Sequence, residues 1–481
     1  MRRTGIFLVV LSLLLLALQA AGLLTQESRP RSGDIDRDRL TAEALDEILR
    51  PVFINKMADF YVAGAAIAVV HAGELVYRAG FGDREVFREV PVDADRTIFR
   101  IGSVTKVLTG VAIMQLVDQG LLELDADVND YLTELDVPRA FEEPVRVRHL
   151  LTHTAGFDQI GTGRHARSRA EVRPLRDFLA ENLVRIRPPD EVSSYDTYAI
   201  TLAGYLVEQV SGHSYEGYLR KQIFEPLEMH RSIITVPPEL QSDVATGYEF
   251  RGQWFAQDWE FMNTDPASTV NATVTDMANF AIMMLQGGEF RGRRVLGEAS
   301  TRAMLTQQYT NHPDQPGYGY TFWEDRTFGV SAWSHGGSMT GYGSFLYLVP
   351  EHDLGVFIAY NQESGRLASA VLSKLLSALF PNKVAEPELR ERWTRPINLS
   401  RFVGSYANSM YNHGDPSRGW RRRPFDLKQK DGALVFQGAP AFAVGPLTFQ
   451  REDGLLLSFE EHEAGGIRHL FVNQAVYEKL P

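Results

Sequence analysis

Residues Phe99 to Lys106 read Phe-Arg-Ile-Gly-Ser-Val-Thr-Lys, with a serine three positions ahead of a lysine at the start of an apolar run. On a helix those two side chains fall on one face and can hydrogen-bond. A lysine near a buried helix N-terminus is disfavoured as a cation by desolvation and by the positive end of the helix dipole. Uncharged, Lys106 can take the hydroxyl proton of Ser103 and turn it into an acyl-transfer nucleophile. The first backbone N–H groups of the helix have no intrahelical acceptor and can hold an oxyanion. Taken alone, these residues fit equally well an N-cap serine followed by a lysine snorkelling to solvent.

Context separates the two. Val107, Leu108, Val111, Ala112, Ile113, Met114, Leu116 and Val117 leave the following helix almost without a polar face until Gly120. Such a helix is buried inside a domain, so its N-terminus opens into a cleft. Around it, Thr41 to Arg50 read as a helix ended by Pro51, and Ala65–Val70 with Leu75–Ala79 read as a hairpin. Helical patterns cover Thr201–Val210 and Val274–Leu285. Strands follow at Phe345–Val349 and Leu354–Tyr360, and a helix over Leu367–Phe380 stops at Pro381. Strands at both ends with helices between predict an α+β fold, an antiparallel sheet flanked by helices. A Pro- and charge-rich stretch to Pro396 marks a boundary. Beyond it, short strands punctuated by Asp431-Gly432 and Asp453-Gly454 predict a small all-β, barrel-like domain.

The 481 residues are 44% hydrophobic and 23% charged, the profile of a globular protein large enough for two cores. A net charge of −12 argues against nucleic acid as a partner; the basic cluster Arg418–Arg423 around Trp420 reads as a solvated loop. The absence of cysteine excludes disulfides, thiolate metal sites and a cysteine nucleophile. Neither His-Glu-x-x-His nor Gly-x-Ser-x-Gly occurs. No metal and no organic cofactor is expected. Met1-Arg2-Arg3 followed by the Leu-rich run Ile6–Leu18 and Ala20-Ala21-Gly22 reads as a secretory signal, or as a retained membrane anchor. Either way the expected location is periplasmic or extracellular.

Several further segments, in order, resemble the serine β-lactamase and penicillin-binding-protein superfamily, in its class C-like branch. They are Asp118-Gln119-Gly120-Leu121-Leu122, Leu150-Leu151-Thr152-His153-Thr154-Ala155-Gly156-Phe157, Ile223-Phe224-Glu225-Pro226-Leu227 and His335-Gly336-Gly337. The resemblance implies that Tyr195, in Tyr195-Asp196-Thr197, shares the serine proton with Lys106, whose charge would lower the phenol pKa. It places Thr197 where the family has an asparagine, and His335-Gly336-Gly337 where it has Lys-Thr-Gly, as substrate-binding positions. It also implies an oxyanion hole made by the backbone N–H groups of Ser103 and Ser338. The missing lysine and threonine point away from carboxylate-bearing β-lactams and D-Ala-D-Ala ends. An imidazole near pKa 6.5 would replace the lysine only toward pH 6. The tail, from Phe402-Val403-Gly404-Ser405-Tyr406 to Tyr477-Glu478-Lys479-Leu480, resembles the lipocalin-like domain of some relatives. His153, Asp125, Asp196 and Glu225 read as packing, turn or cap residues.

The expected layout is a leader or anchor at 1–24, a linker at 25–39, a hydrolase domain at 40–381, a linker at 382–398 and a β domain at 399–481. The expected function is an exported serine hydrolase that forms an acyl-enzyme with a small ester, amide or peptide. A β-lactamase or D-Ala carboxypeptidase is the alternative within the class. A penicillin-binding-like sensor that does not turn over, motivated by Thr197 and His335-Gly336-Gly337, is the alternative outside it. Membrane attachment through the N-terminus is possible.

Overall fold

The computed structural model describes residues 35–161, 163–363, 365–381, 389–415, 421–462 and 465–481. The leader-like residues 1–24 lie outside them, as do residues 416–420 of the basic loop. The long helices are α1 (Ala42–Phe60), α2 (Thr105–Asp118), α3 (Thr197–Ser211), α4 (Val274–Leu285) and α5 (Gly365–Leu379). The main sheet contains β1 (Gly64–His71), β2 (Glu74–Glu85), β3 (Val90–Pro91), β4 (Trp323–Asp325), β5 (Ala332–Met339), β6 (Tyr342–Val349) and β7 (Leu354–Tyr360). Its spatial order is β4-β5-β6-β7-β1-β2-β3. Neighbours run antiparallel, with Ala65 opposite Tyr360 and His335 opposite Leu346. The architecture is α+β.

Strand β1 explains why the sheet has two covered faces. Its apolar run does not alternate with polar residues. Ala65, Ile67 and Val69 join one core with α1 and α5, while Ala66, Ala68 and Val70 join the other with α2 and α4. A strand buried on both sides reads as a continuous apolar run.

Helix α1 starts where expected, with Thr41 Oγ1 accepting from Ala44 N at 3.2 Å. It does not stop at Pro51 but continues to Phe60. Leu45, Leu49, Phe53 and Met57, spaced by four, are buried on the sheet on both sides of the proline, which is itself exposed. That continuous stripe outweighs the roughly 3 kcal/mol cost of an interior proline.

Described residues at both expected linkers make contacts with the folded domains. Ile35 and Leu40 are buried, and Asp36 N donates to Leu379 O at 2.8 Å. In the second linker, Trp393 N donates to Ala443 O at 2.8 Å, and the Arg392 guanidinium lies 3.4 Å from the Phe442 ring centre.

The C-terminal domain is a closed antiparallel barrel with its strands in chain order. They are β8 (Gly404–Asn408), β9 (Pro424–Lys430), β10 (Ala433–Phe436), β11 (Ala439–Ala443), β12 (Thr448–Arg451), β13 (Leu456–Glu461), β14 (Ile467–Val472) and β15 (Ala475–Lys479). Asp431 and Gly432, at φ 51° and 77°, make the tight turn between β9 and β10. Phe402, Tyr406, Phe449 and Phe459 fill the interior.

Candidate active site

Helix α2 is buried on every side from Thr105 to Leu116, and a short 3-10 turn, Gly102–Val104, feeds its N-terminus. Ser103 sits in that turn. Lys106 lies one turn on, fully buried, with Nζ 3.2 Å from Ser103 Oγ. Nζ also donates to the carbonyl of Ala267 at 2.8 Å. Burial, and secondarily the charge of Arg164, hold its pKa well below the ordinary lysine value. Burial thus favours the uncharged amine. In that form, with one N–H on Ala267 O, its lone pair can accept the Ser103 proton.

Two glycines bring strand β5 against this turn. A β-carbon on Gly102, whose φ is +53°, would lie 2.8 Å from Ser338 N. One on Gly337 would lie 2.0 Å from Ile101 O and 2.4 Å from Ser344 Oγ. Backbone therefore meets backbone, and the Ser338 nitrogen reaches the turn that carries Ser103. Gly336 is different: a β-carbon there would meet nothing closer than Phe345, at 3.4 Å.

Tyr195 approaches from the other wall, just before α3. Asp196 caps that helix, accepting from Tyr198 N at 2.8 Å and Ala199 N at 3.2 Å. Burial pushes the Asp196 carboxyl up to about 6. The Tyr195 ring centre is 4.9 Å from Lys106 Nζ, and its hydroxyl is close enough to Ser103 for that side chain to pull its pKa down. Its pKa differs from the expectation. Burial raises it above the usual phenol value, against the pull of Ser103 and Arg164, so Tyr195 rests protonated.

Ser103, Tyr195, Thr197, Gly336, Gly337 and Ser338 line one cavity of about 570 Å³. His335 does not. Its ring is fully buried behind the strand, stacked on Trp323 at 4.5 Å, with Nδ1 2.7 Å from Gly336 O. Burial, with Lys106 nearby, lowers its pKa to about 3. The expected substitute cation toward pH 6 is thus neither charged nor at the cavity wall. His153 is likewise buried: Nδ1 accepts from Asp196 N at 3.1 Å and its ring packs on Tyr195 at 4.7 Å. Asp125 pairs with Arg148 at 2.7 Å and Glu225 with Arg220 at 3.0 Å. Among the described residues there is no cluster of side chains fit to hold a metal.

The arrangement matches proteins of known class. The Beta-lactamase family model matches residues 49–378. This chain belongs to the beta-lactamase family of serine hydrolases. Penicillin-binding protein 4 of Amycolatopsis lactamdurans is 31% identical over 72% of this chain and 94% of its own length. Esterase EstB of Burkholderia gladioli is 33% identical over 42% of this chain and 54% of its own. The beta-lactamase of Escherichia coli is 24% identical over 66% and 89%. Among solved structures, the octameric penicillin-binding protein homologue of Pyrococcus abyssi superposes with TM-score 0.60 at 25% identity, covering 90% of this chain and 99% of that one. SurE shares the fold, with TM-score 0.65 at 21% identity over 91% and 99%.

This beta-lactamase-family cavity also holds residues that sequence reading did not single out. Arg164 lines it, as do Glu260, Trp323 and Glu363. Ser338 Oγ donates to Glu363 Oε1 at 2.7 Å, and Thr340 Oγ1 to Glu260 Oε1 at 2.8 Å. Arg164 lies in a polar stretch with Arg167 and Arg169, and nothing in its local sequence sets it apart from those two.

Proposed function

We propose that the protein hydrolyses esters or amides through an acyl-enzyme on Ser103. The observation that carries this reading is a fully buried lysine amine 3.2 Å from the serine oxygen, its pKa driven down by that burial. Ser103 Oγ attacks the substrate carbonyl as its proton passes to Lys106 Nζ. The carbonyl oxygen becomes an oxyanion held by the backbone N–H groups of Ser103 and Ser338. The C–O or C–N bond then breaks, and the departing alkoxide or amine receives a proton from the Tyr195 hydroxyl, which Lys106 reprotonates. Water attacks the acyl-enzyme by the same route in reverse, releasing the acid and restoring Ser103.

A carboxylate-bearing substrate, such as a β-lactam or a peptide C-terminus, is the second reading. Arg164 favours it, because a guanidinium stays charged at every physiological pH and pairs well with carboxylates. Thr197 offers a hydroxyl where an amide would both donate and accept.

Two measurements test the proposal together: steady-state release of nitrophenol from a short-chain nitrophenyl ester, and intact mass after incubation with a penicillin. Turnover of the ester that disappears in Ser103→Ala supports a hydrolase. A stable penicillin adduct without turnover of either compound would replace it with a sensor.

A further inference from the structure

The barrel touches the catalytic domain at the loops that carry Tyr195. Residues 409–414, which follow β8, reach those loops. Ser409 Oγ lies 2.8 Å from Ser194 Oγ, one residue before Tyr195. His413 N and Gly414 N donate to the Asp158 carboxylate at 2.9 and 3.2 Å, and His413 Nδ1 lies 3.1 Å from it. Asp158 is buried, and the next side chain, Gln159, donates from Nε2 to Asp196 Oδ1 at 3.1 Å, one residue after Tyr195. Both flanks of Tyr195 are therefore tied, directly or through the adjacent side chains of Asp158 and Gln159, to a single six-residue stretch after β8.

That stretch is itself held firmly. Arg187, 9% exposed, donates to Glu478 Oε1 of β15 at 2.8 Å and to Ser409 O at 3.3 Å. The Tyr411 hydroxyl donates to Glu478 Oε2 at 2.9 Å, and the His413 ring stacks on Tyr411 at 3.9 Å. Burial works against the Glu478 charge, but His413 and Arg187 outweigh it and hold its pKa near 2. Val192 packs on Phe471 and Val476 of the barrel, extending the contact along the same loop.

We propose that the barrel segment Ser409–Gly414 is a positioning element of the active site, which holds the Tyr195 hydroxyl on Ser103. This rests on the reading of Tyr195 as the acid for the leaving group. A loop freed from the segment still leaves Ser103, Lys106 and the two N–H groups in place, since none of them contacts it. The loss should fall on proton delivery, and so on substrates whose leaving group needs a proton.

The test compares a nitrophenyl ester, which leaves without help, with the ethyl ester of the same acid. His413→Leu, in the full chain, should lower kcat for the ethyl ester by about tenfold or more and for the nitrophenyl ester by less than about threefold, with KM little changed. His413→Gln, which keeps a donor toward Asp158, should recover most of the loss. His413→Leu combined with Tyr195→Phe should be no slower than Tyr195→Phe alone, because both act through one hydroxyl. If His413→Leu does not fold, Ser409→Ala must show the same selective pattern at smaller amplitude. Equal losses on the two esters in the folded variants, or additive losses with Tyr195→Phe, overturn the proposal. If Tyr195→Phe alone slows both esters equally, the acid role of Tyr195 falls first and this inference falls with it.

Discussion

Gly102 and Ser338 meet backbone to backbone: a single β-carbon on Gly102 would stand 2.8 Å from the Ser338 nitrogen. The contact sets the spacing between the turn that carries the nucleophile and the strand that faces it. Gly102→Ala must push the strand away and also strain a backbone at φ +53°. We expect a stability loss of about 1–3 kcal/mol and a kcat lower by roughly 10²–10³, the scale of one lost oxyanion donor. Gly337→Ala should behave alike, while Gly336→Ala, whose β-carbon would meet Phe345 at an ordinary contact distance of 3.4 Å, should fold as well as wild type. Thermal melts and ester kinetics on the three variants check this. Equal melting temperatures for all three would remove the close approach as a design feature.

Burial holds the Lys106 pKa down at a cost in stability. Its folded pKa lies below its unfolded one, so between those values the unfolded chain binds a proton that the native chain does not. Stability from this site is lowest at acid and neutral pH and rises toward the ordinary lysine pKa near ~10.4. Lys106→Met, which fills the same space without charge, should melt ~2 °C or more above wild type at pH 7. The gap should close as the pH approaches 10. The same variant should lose about a thousandfold or more in kcat. A variant that melts lower than wild type at pH 7 would mean Lys106 is charged in the native protein.

Selectivity for a substrate carboxylate should follow Arg164 and ignore His335. With its pKa near 3, His335 is uncharged throughout the range from pH 8 to 6. The ratio of kcat/KM for matched esters with and without a carboxylate should therefore stay flat over that range. Arg164→Gln should lower kcat/KM for the carboxylate ester by about ten- to a hundredfold more than for the neutral one, the scale of a lost charge-assisted hydrogen bond. A ratio that shifts toward the carboxylate as the pH falls would put the charge back on His335.

Much of this site is legible in the sequence because it is local. Ser103 and Lys106 share one helical turn, and the all-apolar run after them announces a buried helix with its end in a cleft. Tyr195, Thr197 and the Gly336-Gly337-Ser338 strand enter through the family resemblance; their own neighbours would not have shown them to be near Ser103. What escapes is set by tertiary packing. Pro51 reads as a stop because its neighbours on the sheet, which keep the helix going, are not visible in the chain. His335 reads as an accessible imidazole because its burial under Trp323 depends on how β4 pairs with β5. Arg164 gains its place from a loop crossing, and Ser409 and His413 lie more than two hundred residues from the tyrosine they flank.

The most direct test of the account is to map the site of covalent modification by a fluorophosphonate in wild type, Ser103→Ala and Lys106→Met. The account predicts a single adduct on the peptide containing Ser103 in wild type, none in Ser103→Ala, and labelling slowed by about a hundredfold or more in Lys106→Met. An adduct formed at the wild-type rate in Ser103→Ala, or one mapped to any other residue, would contradict it.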